Sequence, residues 1–288
     1  MRVHISVDME GISGVASAAD TTPGAPHYEY CRGLMTAECN AAIEGCYEGG
    51  ATEVIVNDSH GGMLNLIQGQ LDRRAKVIRG RSKAYGMMQG IDTGTGTGTA
   101  ATLFVGYHAR TGNDDGVLNH TMRGRDIQGV FLNDEPAGEL RLNAALAGWL
   151  GVPVVLIAGD NVLCAEGRDT LGQVEAVEVK EAIDKYTAMS PHPEIAQERI
   201  RDGARRAIAS VAAGEARYAP YRVESPTTLR VAWNSTSIAA LCANLPGLKR
   251  VAPREVEYTS ADYTELYLLL RVLLAVGAGC AATDYTYD

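Results

Sequence analysis

Seven consecutive residues, Val152–Ala158 (Val-Pro-Val-Val-Leu-Ile-Ala), carry no polar side chain. A strand with one wet face alternates between apolar and polar residues. A short, unbroken apolar run belongs instead to a strand covered on both faces, which is the condition of parallel sheets flanked by helices. Further strand-like runs occur at Arg2–Val7, Thr52–Val56, Lys76–Ile78, Thr102–Gly106 and Ile127–Leu132, with helix-like segments between them at Tyr28–Gly49, Lys83–Gln89 and Gly138–Trp149. In the longest of these helices Cys31, Leu34, Ala41, Ala42 and Cys46 return on one face, and Gly49-Gly50 stops the run. Strands alternating with helices predict an α/β fold: a largely parallel, Rossmann-like sheet with helices on both faces, plus a smaller α/β second domain.

The second domain is expected after the composition shift near Tyr186–Pro193. An Arg/Ala-rich helix (Glu194–Ala213) and a Pro/Tyr linker (Arg217–Pro226) come first. Strand, helix, strand and helix follow at Leu229–Trp233, Ser237–Ala243, Lys249–Tyr258 and Ala261–Val276. The expected division is residues 1–190 for a metal-binding catalytic domain and 191–288 for a smaller unit serving oligomerisation and active-site closure. The Thr-Gly alternation at Thr93–Thr99 resembles a phosphate-binding glycine loop, but such a loop needs a strand before it and a helix after it. Here a strand follows at Thr102, so a flexible surface loop is expected and a nucleotide-binding oxidoreductase is set aside.

The acidic balance, 35 Asp and Glu against 26 Lys and Arg with a net charge of -9, includes no basic cluster and argues against nucleic acid as a partner. The uncharged apolar stretches fall short of the roughly 20 residues a membrane span needs, so no membrane is expected. The opening Met-Arg-Val-His-Ile-Ser-Val-Asp is too short and too soon acidic for a secretion signal. The six cysteines form no Cys-x-x-Cys pair and are read as buried thiols. These features together predict a cytoplasmic protein.

The chemistry lies where the strands end. Asp8 and Glu10 follow the first strand, His60 the second, His108 the Thr102 strand, and Glu139 starts the helix after the Ile127 strand. In a parallel sheet such ends share one edge, where ligands of open α/β folds bind. Singly, each residue has an ordinary structural reading: Asp8 as a turn residue, Glu139 as a first-turn helix acid, the histidines as satisfied loop residues. Together, two imidazoles and three carboxylates suit a pair of divalent metal ions such as zinc or manganese. One bridging carboxylate would give each ion three protein ligands and leave positions open for water. Asp58 reads equally as a turn residue or as an acid orienting a ligand imidazole.

These segments carry a resemblance. Ser6-Val7-Asp8-Met9-Glu10-Gly11 matches the Ser-x-Asp-x-Glu-Gly motif of the zinc-dependent D-aminopeptidase family. Val56–His60, Phe104–Arg110, Gly116–Met122 and Gly138–Ala144 look like that family's further blocks, in the family's order. The resemblance is strong over Met1–Asp160 and loose beyond. It implies two Zn2+ per subunit on Asp8, Glu10, His60, His108 and Glu139, with Asp8 bridging and His120 as the catalytic histidine. It also implies short peptide substrates with an N-terminal D-residue such as D-Ala, and a homodecameric ring with its active sites facing an inner cavity. Asn113-Asp114-Asp115, which adds negative charge before His120, departs from the family pattern, and Asp114 or Asp115 is a candidate for holding a substrate's α-amine. Two other functions fit the same residues: a dipeptide-binding module that does not cut, and a different two-metal amidohydrolase or phosphoesterase.

Overall fold

The computed structural model describes residues 1–92, 98–113, 115–215 and 217–281. The chain runs β1 (Arg2–Val7), α1 (Ala18–Thr21), α2 (Tyr28–Glu48), β2 (Glu53–Asp58), β3 (Lys76–Ile78), β4 (Thr99–Val105), β5 (Ile127–Leu132), β6 (Glu135–Pro136), α3 (Glu139–Trp149), β7 (Val154–Asp160) and α4 (Asn161–Leu171). It continues through β8 (Glu175–Asp184), β9 (Thr187–Met189), α5 (Pro193–Ala212), β10 (Thr227–Trp233), α6 (Thr236–Cys242), β11 (Lys249–Ala252), β12 (Glu255–Ser260) and α7 (Tyr263–Ala281). Residues 93–97 of the expected Thr-Gly loop lie outside the described residues, while Thr99 already belongs to β4.

The first sheet has the order β3-β2-β1-β4-β7-β8-β9, parallel except for the last pair. β1 therefore sits between β2 and β4, and the carboxyl ends of these three strands open onto one edge. The side-chain period of two explains the layers. Val3, Ile5 and Val7 point into one core, which α2 and α5 close through Cys39, Ile43, Ile200 and Ala204. Phe104 and Ile157 point the other way, into a second core closed by α3, α6 and α7. Helices thus cover both faces, as the unbroken apolar strand requires.

The second sheet has the order β11-β12-β10-β5-β6 and is antiparallel throughout. Lys249–Tyr258, expected as one strand, is a hairpin that turns at Pro253-Arg254, and the expected helix at Lys83–Gln89 shrinks to a single 3-10 turn at Gly86–Met88. β5 pairs with β10 almost a hundred residues later, and α5 packs on α2 against the first sheet. Both cores therefore draw on chain from both sides of residue 190.

The Tyr263–Cys280 stretch of α7 is long and apolar enough, by length and composition alone, to cross a membrane. In this fold Leu266, Tyr267, Leu270, Leu273 and Leu274 on its inward face fill the second core. Cys31, Cys39, Cys46, Cys164 and Cys242 are buried free thiols, and Cys280 is half-buried.

Candidate metal centre

The edge of β1 and β4 is built for close approach. A Cβ on Gly11 would lie 1.8 Å from the Tyr107 carbonyl oxygen, and one on Gly106, at φ +72°, would lie 2.2 Å from the Asp8 carbonyl oxygen. Only glycine allows these two loops to touch. The gap is bridged by backbone hydrogen bonds from Asp8 N to Val105 O and from Gly11 N to Gly106 O, each 2.8 Å. Asp8 and Glu10 are thereby held against the segment that carries His108. From below, the buried Lys180 ammonium donates to the carbonyls of Glu10 (2.5 Å), Val15 (2.7 Å) and Ile12 (3.1 Å). The buried Glu38 carboxylate accepts from Ser13 N at 2.8 Å.

The structure brings all six residues singled out from the sequence to this edge. His60 Nδ1 lies 3.0 Å from Glu10 Oε2 and 3.4 Å from Asp8 Oδ1. His108 Nε2 lies 3.5 Å from Asp8 Oδ2 and 3.4 Å from Glu139 Oε1. The two oxygens of Asp8 thus face two different imidazole–carboxylate pairs. The far side of each ring is fixed by a backbone carbonyl: His60 Nε2 donates to Thr21 O at 3.0 Å, and His108 Nδ1 to Ala109 O at 3.0 Å. This is the outer hydrogen bond by which ligand histidines are oriented. Asp58 does not touch the His60 ring. Its carboxylate accepts from Asn65 N, Leu66 N and Asn65 Nδ2, and Asn65 Nδ2 also donates to the His60 carbonyl, so Asp58 shapes the loop and not the imidazole.

His120 sits over the pair. Its ring stacks on His108 with centroids 4.2 Å apart and planes 8° from parallel. Nδ1 donates to Leu118 O at 2.8 Å, which leaves the Nε2 lone pair facing Glu139 Oε1 (3.7 Å) and Glu10 Oε1 (4.0 Å). Leu118 and Met122, on either side, hold φ of +52° and +61°, a region unfavourable for such side chains. The loop is pinned there by Val117 N to Asp160 Oδ2 (2.9 Å), Leu118 N to Lys185 O (2.7 Å) and Met122 N to Glu139 Oε1 (2.6 Å). With 21% of its side chain accessible against 13% for His60 and 1% for His108, His120 is the most open of the three imidazoles.

Three carboxylates this close repel. Burial, and then the neighbouring Glu10 carboxylate, pushes Asp8 up to about 7. Burial is the largest influence on His108 and opposes its charge, but the surrounding carboxylates, Glu139 foremost with Glu10 and Asp8, together outweigh it and hold the imidazole at about 10. Burial works in the same direction on His60, where Glu10 and Asp8 overcome it and raise the ring well above its usual range. His120 is lowered instead, by burial and by the charge of His108. Asp8 Oδ2 and His108 Nε2 are buried without a hydrogen-bond partner. Buried polar atoms normally have partners, and a cation between these two would satisfy both. Asp8, Glu10 and His108, and likewise His108, His120 and Glu139, bring donor atoms within 4.8 Å of one another. The donor set therefore fits divalent metal.

The cluster opens into a cavity of about 380 Å3. Several of its lining residues, among them Arg81, Met87, Arg123 and Arg271, carry no sequence signal of a role there. Asp114 lies outside the described residues, and Asp115 is exposed on the loop and absent from the cavity lining.

A mostly parallel α/β sheet with a buried carboxylate–imidazole cluster at its carboxyl edge, opening into a small cavity, defines a protein of the metal-dependent α/β class. A family model described as D-aminopeptidase (peptidase M55) matches residues 1–272, and the chain belongs to this family. It is similar to a D-aminopeptidase of Bacillus subtilis (strain 168), 41% identical over 188 residues, which is 64% of this chain. That match spans 65% of the relative's length, just under two thirds. Its fold is similar to the solved structure described as Zn-dependent D-aminopeptidase DppA from Bacillus subtilis, a self-compartmentalizing protease. The TM-score is 0.89 and the identity 30%, covering 99% of this chain and 100% of that one.

Proposed function

We propose that this protein is a zinc-dependent D-aminopeptidase that removes the N-terminal residue from short peptides. The observation that carries the reading is the pair of Asp8 oxygens facing two separate imidazole–carboxylate sets. Glu10 and His60 would hold one zinc, His108 and Glu139 the other, and Asp8 would bridge them. Zinc in such a site supplies Lewis acidity for the scissile carbonyl and acidifies water.

The chain's own groups do the rest. The peptide's free α-amine, in its unprotonated form, has a seat at the metal that Asp8, Glu10 and Glu139 would hold, which accounts for cutting at the N-terminus. His120, held as the Nδ1–H tautomer by Leu118 O, accepts a proton at Nε2 and returns it to the leaving amine. The pinned loop around it keeps this nitrogen aimed at the cavity. The α7 face beside the cavity, with Leu274, Ala275 and Ala278, closes the site opposite the cluster, which supports a closing role for the C-terminal part of the chain.

The same reading extends to assembly. Leu268 and Val272, one helical turn apart on α7, are exposed apolar side chains, as are Leu241 on α6 and Val251 on β11, and such side chains suit contact between copies of the chain. A homodecameric ring with its active sites inward is the proposed assembly, and the similarity to a solved protein described as self-compartmentalizing supports it. Five buried free cysteines support residence in the reducing cytoplasm.

The test is release of D-alanine from matched D- and L-alanyl dipeptides by zinc-loaded, chelated and His120→Ala protein. Release from the D-peptide, abolished by chelation and lowered about 100-fold or more in His120→Ala with its zinc retained, is the expected result. No hydrolysis by fully loaded protein, or full activity without His120, contradicts it.

A further inference from the structure

The cavity has two chemically distinct ends. Asp8, Glu10 and Glu139, the proposed metal ligands, line one part of it, and Arg81, Arg123 and Arg271 also face it. The three guanidinium groups are not equivalent. Arg123 is committed to Asp126, with Nε 2.6 Å from Oδ2. Arg81 is exposed at the rim. Arg271, on α7, is half-buried, and its Nε is buried without a hydrogen-bond partner. Among the described residues it has no carboxylate partner either.

The seat of Arg271 is built into the fold. A Cβ on Gly86, at φ +46°, would lie 2.9 Å from both Nε and Cζ of Arg271, so the guanidinium rests directly on the Gly86 backbone. Leu270, Leu273 and Leu274, buried in the second core, fix the helix on either side. A partly desolvated cation with no counter-charge is unfavourable unless something supplies the anion. The planar fork of Arg suits a carboxylate, which it can take bidentately.

A short peptide is a zwitterion. With its amino end at the carboxylate–imidazole cluster, its own C-terminal carboxylate is the anion available to the arginine wall. The cavity volume falls within the roughly 300–1,000 Å3 typical of small-molecule sites. We propose that Arg271, assisted by Arg81 at the rim, binds the C-terminal carboxylate of the substrate and thereby selects very short peptides with a free C-terminus. This rests on the aminopeptidase reading and adds a specificity-determining residue to it.

The test uses the zinc-loaded full chain, with D-alanyl-D-alanine and its C-terminal amide as probes. Wild type is expected to favour the free acid roughly 10- to 100-fold in kcat/KM, mainly through KM, as for a lost charge-assisted hydrogen bond. Arg271→Gln brings the acid-to-amide ratio towards 1, and Arg271→Lys, which keeps the charge but not the fork, retains part of the preference. An unchanged ratio in Arg271→Gln, or an equal loss on both peptides, overturns the assignment. Calorimetric binding of the same two peptides separates this claim from the activity. An acid preference in affinity that Arg271→Gln removes sustains the anchor even if nothing is cut. Cleavage of both peptides with no acid preference overturns the anchor and leaves the aminopeptidase standing.

Discussion

Replacing Gly11 by alanine adds one methyl group at the point where the two halves of the centre meet. The new Cβ would stand 1.8 Å from Tyr107 O, 2.6 Å from Gly106 C and 2.7 Å from Tyr107 C, all backbone atoms. Real Cβ contacts do not fall below 3.0 Å, so the loops must part by about 1.2 Å. Gly11 follows Glu10, and Tyr107 precedes His108, so the displacement falls between the two halves of the cluster. The 2.8 Å hydrogen bond from Gly11 N to Gly106 O is lost with it. Metal–ligand distances tolerate about 0.2 Å, and about 1 Å of misplacement costs on the order of 100-fold in rate. Gly11→Ala is therefore expected to lower kcat/KM on a D-alanyl dipeptide by about 100-fold or more, and to weaken zinc binding in a chelator competition by at least about 10-fold. Gly62→Ala is the control. It lies two residues after His60, at an ordinary φ with nothing within 4 Å of its Cβ, and is expected to behave as wild type. Gly11→Ala protein with full zinc content and undiminished turnover would refute the claim that contact of these two loops assembles the site.

Lys180→Met leaves the carbonyls of Glu10, Ile12 and Val15 without their donor, at roughly 1–3 kcal/mol each. The desolvation that holds this ammonium at about 8 offsets part of that. A net loss of about 3 kcal/mol, or roughly 6–12 °C in Tm, is expected on thermal denaturation, and an unchanged Tm contradicts the clamp. His4 is buried, with its ring between Thr102 Oγ1 (2.9 Å) and Gln89 O (3.2 Å), and burial lowers it to about 4. Below pH 6.5 the unfolded chain takes up a proton that the folded chain refuses down to pH 4, so stability falls as pH drops through this window. The loss approaches about 3 kcal/mol. Denaturant titrations of wild type and His4→Gln across pH 4–7 check it, and the component must be missing from the variant.

Much of the first sheet was legible because burial on both faces leaves long apolar runs. Arg2–Val7 and Lys76–Ile78 are strands with those bounds, and the helix read at Gly138–Trp149 starts one residue later at Glu139. Asp8, Glu10, His60 and His108 were readable because the parallel strands β1, β2 and β4 place their carboxyl ends on one edge, whereas Glu139 reaches that edge from α3, after the antiparallel β5 and β6. The second sheet was not, because the pairing of β5 with β10 joins segments about a hundred residues apart with no local trace of each other. The hairpin of β11 and β12 escaped notice because its turn is Pro253-Arg254, without the Asn-Gly or Asp-Gly signature of tight turns. Lys180 and Arg271 were hidden for a related reason. Lys180 is one of five charged residues in β8 and Arg271 one of two in α7, and only packing shows the former beneath the Asp8–Glu10 loop and the latter at the cavity wall.

The central claim is that one carboxylate, Asp8, holds two cations between opposed imidazole–carboxylate pairs. Anomalous diffraction at the zinc edge from crystals of the zinc-loaded protein tests it most directly. The account predicts two peaks flanking Asp8, one shared with Glu10 and His60 and the other with His108 and Glu139, both absent in Asp8→Ala. A single peak remote from Asp8, or two peaks that persist in the variant, would contradict it.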